Sequence, residues 1–287
     1  MLPWRWGKYT IRPMTEKHTA TEAGIWRTER SEVTCAQSGT RHEVSVALPS
    51  RHASLDAPPL IVCMDGPWVF GSVVDATRIM SMAGEAPEAV VVGLGFVTDS
   101  MSEYLRQRAR WFTPTPFMPP TVTGVKGLQI DETGKALVLR NMLRDQVLPD
   151  IEARFGTGER WLVGHSFSGL FGLRVLFDSP ELFSKWLLMS ASIWWDGRSI
   201  LGFEEAYAET HTDLSADLYL SSGGDEDNLI GGEFAMGPNV TELADRLRGH
   251  DYTGLTIRRE ELPASTHSST IGAGVARGLR ALTTVAP

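Results

Sequence analysis

The sequence of 287 residues predicts an α/β fold, with a mostly parallel, doubly wound sheet and helices on both of its faces. Two observations lead to this prediction. Short, continuous apolar runs, which are typical of strands buried on both faces, alternate with stretches of helical spacing. In addition, no Pro-, Gly- or Ser-rich linker divides the chain, so we expect a single domain over residues 1–287.

The first strands differ from those that follow. Residues 1–24 are irregular and polar, and two strand-like segments at 32–35 and 44–48 flank a Ser-Gly-Thr turn, which predicts a β-hairpin. Further strands are predicted at 60–64, 89–94, 160–163, 186–190, 217–221 and 255–261, and helices at 68–82, 134–155, 169–177, 240–248 and 268–282.

One long segment interrupts this alternation. Residues 95–134 include a Pro-rich part at 113–120, which cannot form a regular helix. Loops of this length in compact domains are usually functional or disordered. We therefore expect 95–134 to be a long active-site loop.

Composition excludes several classes of function. A formal net charge of −8 and a pI near 5.4 argue against nucleic-acid binding, which depends on clustered Lys and Arg. The sequence shows neither a secretory signal nor an apolar run of transmembrane length, so we expect a cytoplasmic protein without membrane partners. The oligomeric state is not indicated by the sequence.

A serine between small residues is the strongest chemical signal in the chain. The stretch 164–169 reads Gly-His-Ser-Phe-Ser-Gly, after a predicted strand and before a predicted helix. A sharp strand-to-helix turn of this kind presents the Oγ of Ser166 as a nucleophile. The usual pattern is G-x-S-x-G, and here Ser168 occupies the fifth position. The alternative is a buried strand that ends in a polar turn.

His267 is the predicted general base. Serine needs a base to accept its proton, and His267 follows the last predicted strand, at the edge where the loops of a parallel sheet converge. His165 lies inside the turn, where adjacent side chains diverge, and is predicted to be structural. His211 and His250 remain weaker alternatives.

Three acidic residues after one strand are candidates for orienting the base. Asp225, Glu226 and Asp227 follow the predicted strand 217–221. A carboxylate fixes the tautomer of the histidine and stabilises its imidazolium form. Spacing favours Asp227, with Glu226 next and Asp225 third.

Several short motifs share one order along residues 30–283. They are Met64-Asp65-Gly66, Phe112-Thr113-Pro114, Gly164-His165-Ser166-Phe167, Pro180-Glu181-Leu182-Phe183, Ser190-Ala191-Ser192-Ile193-Trp194-Trp195, Gly224-Asp225-Glu226-Asp227 and Thr266-His267-Ser268. In this order and spacing the chain resembles the putative esterase family of α/β-hydrolases, and its Trp-Trp pair resembles the enterochelin and siderophore esterases most. The resemblance implies an α/β-hydrolase fold and a Ser166, Asp227 and His267 site, although some siderophore esterases are thought to use only Ser and His.

The oxyanion hole departs from the pattern that this resemblance implies. A developing oxyanion needs two N–H donors, and Phe167 provides the first from its backbone. The family's second donor is the residue after the Asp-Gly pair, which here is Pro67 and has no N–H. Trp68 or Gly66 must donate instead, and we favour Trp68.

A basic and aromatic stretch at 106–112 suggests the substrate. Arg106 and Arg110, together with Trp194 and Trp195, are the predicted substrate-binding residues, because Arg pairs with anionic oxygens and stacks on aromatic planes. This combination suits a bulky aromatic ester with negative charge, such as an iron-loaded catecholate siderophore. In the alternative interpretation, the arginines form surface ion pairs and the tryptophans line an apolar acyl pocket.

Together these observations predict a serine carboxylic-ester hydrolase that acts through an acyl-enzyme on a small-molecule ester. The alternatives are a general carboxylesterase for short neutral esters and a non-catalytic ligand-binding protein. No cofactor is expected, since the His and Cys residues are scattered and no phosphate-binding Gly-rich motif occurs.

Overall fold

The computed structural model describes residues 24–49, 55–118, 132–227 and 232–283. One eight-stranded sheet runs through these residues. Its strands are β1 Thr28–Thr34, β2 Arg41–Ala47, β3 Leu60–Met64, β4 Val90–Phe96, β5 Arg160–His165, β6 Lys185–Met189, β7 Asp213–Gly223 and β8 Thr253–Leu262.

The strands lie in the order β1-β2-β4-β3-β5-β6-β7-β8. The β1–β2 hairpin and the β2–β4 pair are antiparallel, and the pairs from β4 through β8 are parallel. The predicted mostly parallel sheet is therefore confirmed, and the structure has the α/β-hydrolase fold. In a parallel sheet the loops after the strands share one edge, so the residues after β3, β5, β6, β7 and β8 meet there.

Helices cover both faces of the sheet, as predicted. They are α1 Gly66–Met82, α2 Met101–Phe112, α3 Ala136–Met142, α4 Leu148–Phe155, α5 Phe167–Asp178, α6 Trp195–Ala208, α7 Met236–Gly249 and α8 Thr270–Thr283. A π-helical turn, Leu143–Val147, joins α3 to α4, so the helix predicted at 134–155 is continuous but irregular. None of the helices in the described ranges is both long and apolar enough to cross a bilayer.

Two apolar clusters occupy the two faces, and β3 contributes to both. Leu60 and Val62 belong to one cluster, while Ile61 and Cys63 belong to the other, as the alternation of side chains along a strand requires. Helices α1 and α8 cover the second cluster, and the remaining helices cover the first. All five side chains of β3 are buried, which explains its continuous apolar sequence.

The predicted loop at 95–134 is wrong in part, because α2 occupies residues 101–112. The side chain of Ser100 begins this helix by accepting a hydrogen bond from the backbone N–H of Glu103 at 3.3 Å. The prolines that suggested a loop start at Pro114, after the last residue of α2. Residues 119–131 of the predicted loop and residues 1–23 lie outside the described residues.

Candidate active site

Ser166 lies in the turn between β5 and α5, with φ 59° and ψ −119°. These angles are strained for a residue with a side chain, and such strain is characteristic of functional turns. A Cβ on Gly164 would overlap the backbone carbonyl of Ser168, so position 164 needs glycine. The predicted nucleophile turn is thus present in the structure.

The serine at the fifth position of the motif is accommodated by hydrogen bonds across the turn. The Oγ of Ser168 donates to the carbonyl oxygen of His165 at 2.8 Å and accepts from the backbone N–H of His165 at 2.9 Å. The side chain is fully buried. Because both of these contacts are internal to the turn, the hydroxyl replaces glycine at no cost in unsatisfied polar groups.

His267 faces the nucleophile from the loop between β8 and α8. Its Nε2 lies 3.0 Å from the Oγ of Ser166, and its Nδ1 lies against Oε1 of Glu226. A carboxylate only accepts hydrogen bonds, so Nδ1 carries the proton and Nε2 is left to accept from the serine hydroxyl. The structure therefore brings Ser166 and His267 together, as the sequence predicted.

Glu226 is the carboxylate on the other side of His267. Its side chain is fully buried in the segment that follows β7. Its second oxygen, Oε2, accepts from the backbone N–H of Gly223 at 2.8 Å and from the Oγ of Ser190 at 3.0 Å. These contacts satisfy a carboxylate that has been removed from water.

The predicted contact between Asp227 and His267 is wrong. Asp227 accepts from the backbone N–H groups of Met236 and Gly237, at 2.7 and 3.3 Å, at the first turn of α7. Helix N-termini attract carboxylates because their first N–H groups have no partner within the helix. An open groove of about 650 Å³ lies beside Asp227 and Gly237, and neither Ser166 nor His267 lines it. Asp225, the third candidate, is exposed.

The backbone of Phe167 stands where the sequence placed the first oxyanion donor. Phe167 is the first residue of α5, so its N–H has no acceptor within that helix. The second predicted donor, Trp68, is contradicted, since its N–H donates to the carbonyl of Asp65 at 2.9 Å. Asp65 takes a left-handed conformation, with φ 59° and ψ 47°, and this tight turn is what engages Trp68.

A buried ion pair lies beside these two turns. The Nε and Nη2 of Arg108 donate to the two carboxylate oxygens of Asp65, at 2.7 and 2.9 Å. The guanidinium carbon lies 4.5 Å from the ring centroid of Trp68 and 5.6 Å from that of Phe167. Nη1 of Arg108 takes no part in this bidentate pair. Arg108 also lines the pocket above Ser166.

The other two arginines of the basic stretch lie elsewhere. Arg106 pairs with Glu103, and Arg110 pairs with Glu132. Neither Arg106 nor Arg110 lines the pocket, so the prediction that they bind substrate there is not supported. Residues four apart share one face of a helix, whereas Arg108 is two residues, about 200°, away from both. The face that meets the pocket is therefore the face of Arg108.

The pocket around Ser166 has a volume of about 640 Å³. It is lined by Trp68, Leu105, Arg108, His165, Ser166, Phe167, Ser192, Trp194, Phe234, Met236, His267, Ser268 and Ile271. Trp194 lies on this wall as predicted, and its ring is 4.7 Å from that of Phe234. Trp195 does not, because it is fully buried and packs edge-on against Phe167.

Sequence reasoning missed Phe234 and Met236 as pocket residues, and it placed Arg108 in the basic stretch without choosing it as a substrate-binding residue. The helical position of Arg108 offered a signal once α2 was recognised. Phe234 and Met236 carry no such signal, since they reach the pocket from the loop before α7 and from its first residue.

Comparison with known proteins shows the family of this chain. The family model described as "Putative esterase" matches residues 36–253, and the chain belongs to that family. It is 28% identical over 244 residues to the siderophore triacetylfusarinine C esterase of Aspergillus fumigatus, covering 77% of this chain and 80% of that protein. It is 26% identical to the ferri-bacillibactin esterase BesA of Bacillus subtilis, over 93% of both chains.

A solved structure shows the same fold. The BES protein from Bacillus cereus superposes with a TM-score of 0.79 at 23% identity, over 93% of this chain and 99% of that one. The predicted fold and the predicted membership of the esterase family are thus confirmed. The protein is an esterase.

Proposed function

We propose that this esterase hydrolyses the ester bonds of siderophores through an acyl-enzyme formed on Ser166. The observation that carries the proposal is the continuous hydrogen-bonded line from Ser166 through His267 to Glu226, at the base of a pocket. The relatives named above act on siderophores, which supports the substrate class.

In this mechanism, His267 accepts the proton of Ser166 as the serine oxygen attacks the ester carbonyl carbon. The same proton then passes from Nε2 to the alcohol oxygen as the ester C–O bond breaks. Water attacks the acyl-enzyme in the second half of the reaction, with His267 again acting as the base. Glu226 holds Nδ1–H throughout and stabilises the imidazolium that forms in each half.

The developing oxyanion needs two hydrogen-bond donors, which we assign to residues that line the pocket around Ser166. The first is the backbone N–H of Phe167, and the second is the guanidinium of Arg108. Pro67 has no N–H, the N–H of Trp68 is engaged, and Gly66, the other backbone alternative, does not line the pocket, so we assign the second donor to a side chain. Asp65 anchors Arg108 by two hydrogen bonds, which fixes the direction of the remaining N–H groups before substrate arrives.

The volume of the pocket favours a bulky substrate. A cavity of about 640 Å³ lies within the range of sites for drug-sized ligands, roughly 300–1,000 Å³, and exceeds the needs of a short acyl chain. Trp68, Trp194 and Phe234 offer aromatic planes on its walls. The charge of Arg108 is offset by Asp65, which favours the alternative of a carboxylesterase for neutral esters.

Hydrolysis of a siderophore panel tests the proposal. Catecholate siderophore trilactones, with and without iron, would be assayed beside p-nitrophenyl butyrate, and the products followed by liquid chromatography and mass spectrometry. We expect kcat/KM to be higher for at least one siderophore ester than for the p-nitrophenyl ester, and we expect Ser166→Ala to abolish both reactions. Turnover of the p-nitrophenyl ester alone would reject the siderophore as substrate and leave the neutral carboxylesterase.

A further inference from the structure

Two buried hydroxyl groups lie behind the proposed catalytic line. Ser190 follows β6 and Thr270 begins α8, and both residues are fully buried. The Oγ of Ser190 donates to Oε2 of Glu226 at 3.0 Å and lies 3.3 Å from Oγ1 of Thr270. Oγ1 of Thr270 donates to the carbonyl oxygen of His267 at 2.6 Å. The hydroxyl pair therefore connects the acid to the main chain of the base.

The ring of His165 also contacts the carbonyl oxygen of His267. Its Nε2 lies 2.8 Å from the carbonyl oxygen of His267 and 3.1 Å from Oγ1 of Thr270. Burial lowers the pKa of His165 well below its ordinary value, and the neighbouring His267 lowers it further. The ring is thus neutral, and because a carbonyl oxygen only accepts, its single proton is on Nε2.

We propose that Ser190 and Thr270 are positioning residues for ester hydrolysis, which hold Glu226 and His267 in register with Ser166. Ser190 occupies Oε2 of Glu226 and so leaves Oε1 to face Nδ1 of His267. Thr270 fixes the carbonyl of His267, and with it the main chain from which Nε2 points at Ser166. This inference rests on the proposed serine mechanism.

A purely packing role does not account for these hydroxyls. A buried hydroxyl costs free energy unless it is hydrogen-bonded, and an apolar residue of the same shape would fill either position equally well. In the described hydrogen bonds, these two hydroxyls contact each other, Oε2 of Glu226, the carbonyl oxygen of His267 and Nε2 of His165. The side chains touch no substrate, so their effect is transmitted through the acid and the base.

The test exploits the shape of threonine. Thr270→Val keeps the volume and removes the hydroxyl, whereas Thr270→Ser keeps the hydroxyl and removes a methyl group. We expect Thr270→Val to lower kcat for p-nitrophenyl butyrate about tenfold with little change in KM, since small misplacement of catalytic groups costs up to about 10²-fold. Thr270→Ser should retain most of the wild-type kcat.

Two further variants complete the design. Thr241→Val is the matched control, because its hydroxyl donates to a helix carbonyl of α7 at 2.9 Å, away from Ser166, and its kcat should equal that of wild type. Ser190→Ala tests the acid side independently, and the double variant with Thr270→Val should lose little more than the more damaged single variant. Melting temperatures would be measured for every variant.

The outcomes are distinct. A folded Thr270→Val with wild-type kcat would overturn the inference, as would equal losses in Thr270→Val and Thr270→Ser, or losses that multiply in the double variant. If Thr270→Val does not fold, wild-type kcat in Ser190→Ala would overturn it. Failure of the wild-type protein to hydrolyse siderophores would reject the proposed substrate and leave this comparison of p-nitrophenyl butyrate rates valid; failure to hydrolyse either substrate would overturn both.

Discussion

The two sides of the pocket are held in place differently. Ser166, Glu226 and His267 all follow parallel strands, and the groups that fix them are backbone N–H groups, a carbonyl and buried hydroxyls. The opposite side depends on one helix, α2, which presents Arg108 to the pocket through the ion pair with Asp65. One side is thus determined by the sheet, and the other by the rotation of a helix.

Because of this difference, we expect the catalytic side and the α2 side to respond differently to substitution. Strand ends converge for topological reasons, so the catalytic side tolerates little change in position. The face of α2 turned away from the pocket carries Arg106 and Arg110, which are half-buried and pair with acidic neighbours, so we expect substitutions there to leave the pocket intact. Substitutions on the two sides should therefore differ in both size and kind of effect.

Loss of the nucleophile or the base has the largest expected effect. Ser166→Ala and His267→Ala should each lower kcat by about 10⁴-fold or more, and the double variant should lose little beyond either single variant, because the two act as one unit. Steady-state kinetics on p-nitrophenyl butyrate would show this. Losses that multiply would mean that Ser166 and His267 act separately.

The neighbouring acids should differ sharply from each other. Glu226→Gln should lower kcat by about 10²- to 10⁴-fold, because an amide no longer enforces the tautomer of His267. Asp227→Asn should leave kcat nearly unchanged and cost about 0.5 kcal/mol of unfolding free energy, because the amide oxygen can still accept a hydrogen bond but the negative charge at the N-terminus of α7 is lost. Urea unfolding and kinetics on both variants separate these effects, and a large loss of kcat in Asp227→Asn alone would reverse the assignment.

The arginines of α2 provide the next contrast. Removing Arg108 alone would strand the buried carboxylate of Asp65, so the informative change is the pair Asp65→Asn with Arg108→Gln. We expect this pair to lower kcat by roughly 10²-fold, the cost of one oxyanion donor. Arg106→Gln and Arg110→Gln are matched controls, and both should retain wild-type kinetics. Equal losses in all three would instead indicate a general requirement for positive charge on α2.

A buried histidine behind α2 should give the smallest effect, on stability rather than rate. His42 is fully buried, with Phe96 and with Trp111 of α2 as ring neighbours. Desolvation lowers its pKa from 6.5 to about 4, although the backbone of Gly95 partly opposes this shift. Neither ring nitrogen makes a hydrogen bond of good geometry.

Linkage gives the sign of the effect. Between pH 6.5 and about 4 the unfolded chain binds a proton at His42 that the folded chain does not. The free energy of unfolding therefore decreases as the pH is lowered through this window. From pH 7 to pH 5 the loss from this group is about 2 kcal/mol, at 1.36 kcal/mol per pKa unit. Urea unfolding of His42→Phe should show a shallower fall than wild type. Parallel curves for the two proteins would exclude His42 as the cause.

The sequence predicted the catalytic side better than the α2 side. Buried strands can be recognised in the sequence as apolar runs, and the residues that follow parallel strands share one edge of the sheet. These two facts are sufficient to predict that Ser166 and His267 lie together. They were insufficient to choose between Glu226 and Asp227, because the side-chain directions of adjacent residues in a turn depend on the backbone angles. Glu226 turns inward, whereas Asp227 meets the N-terminus of α7.

On the α2 side the missing information was rotational. Once a helix is assigned to 101–112, a spacing of two residues separates Arg108 from Arg106 and Arg110, but the prolines after α2 had led to the prediction of a loop. The burial of Trp195 could not be predicted either, since the sequence of a tryptophan pair does not indicate which ring packs into the core. Tertiary packing, rather than local pattern, decides both cases.

Labelling with a fluorophosphonate probe shows whether Ser166 is an activated nucleophile, because the probe reacts only with an activated serine. Intact-mass measurement and peptide mapping of the folded protein should show one adduct per chain, on Ser166, and a much slower reaction in His267→Ala. Thr241→Val, whose change lies outside the catalytic line, should label at the wild-type rate. A folded wild-type protein that acquires no adduct, or acquires it on another residue, would show that Ser166 is not the catalytic nucleophile.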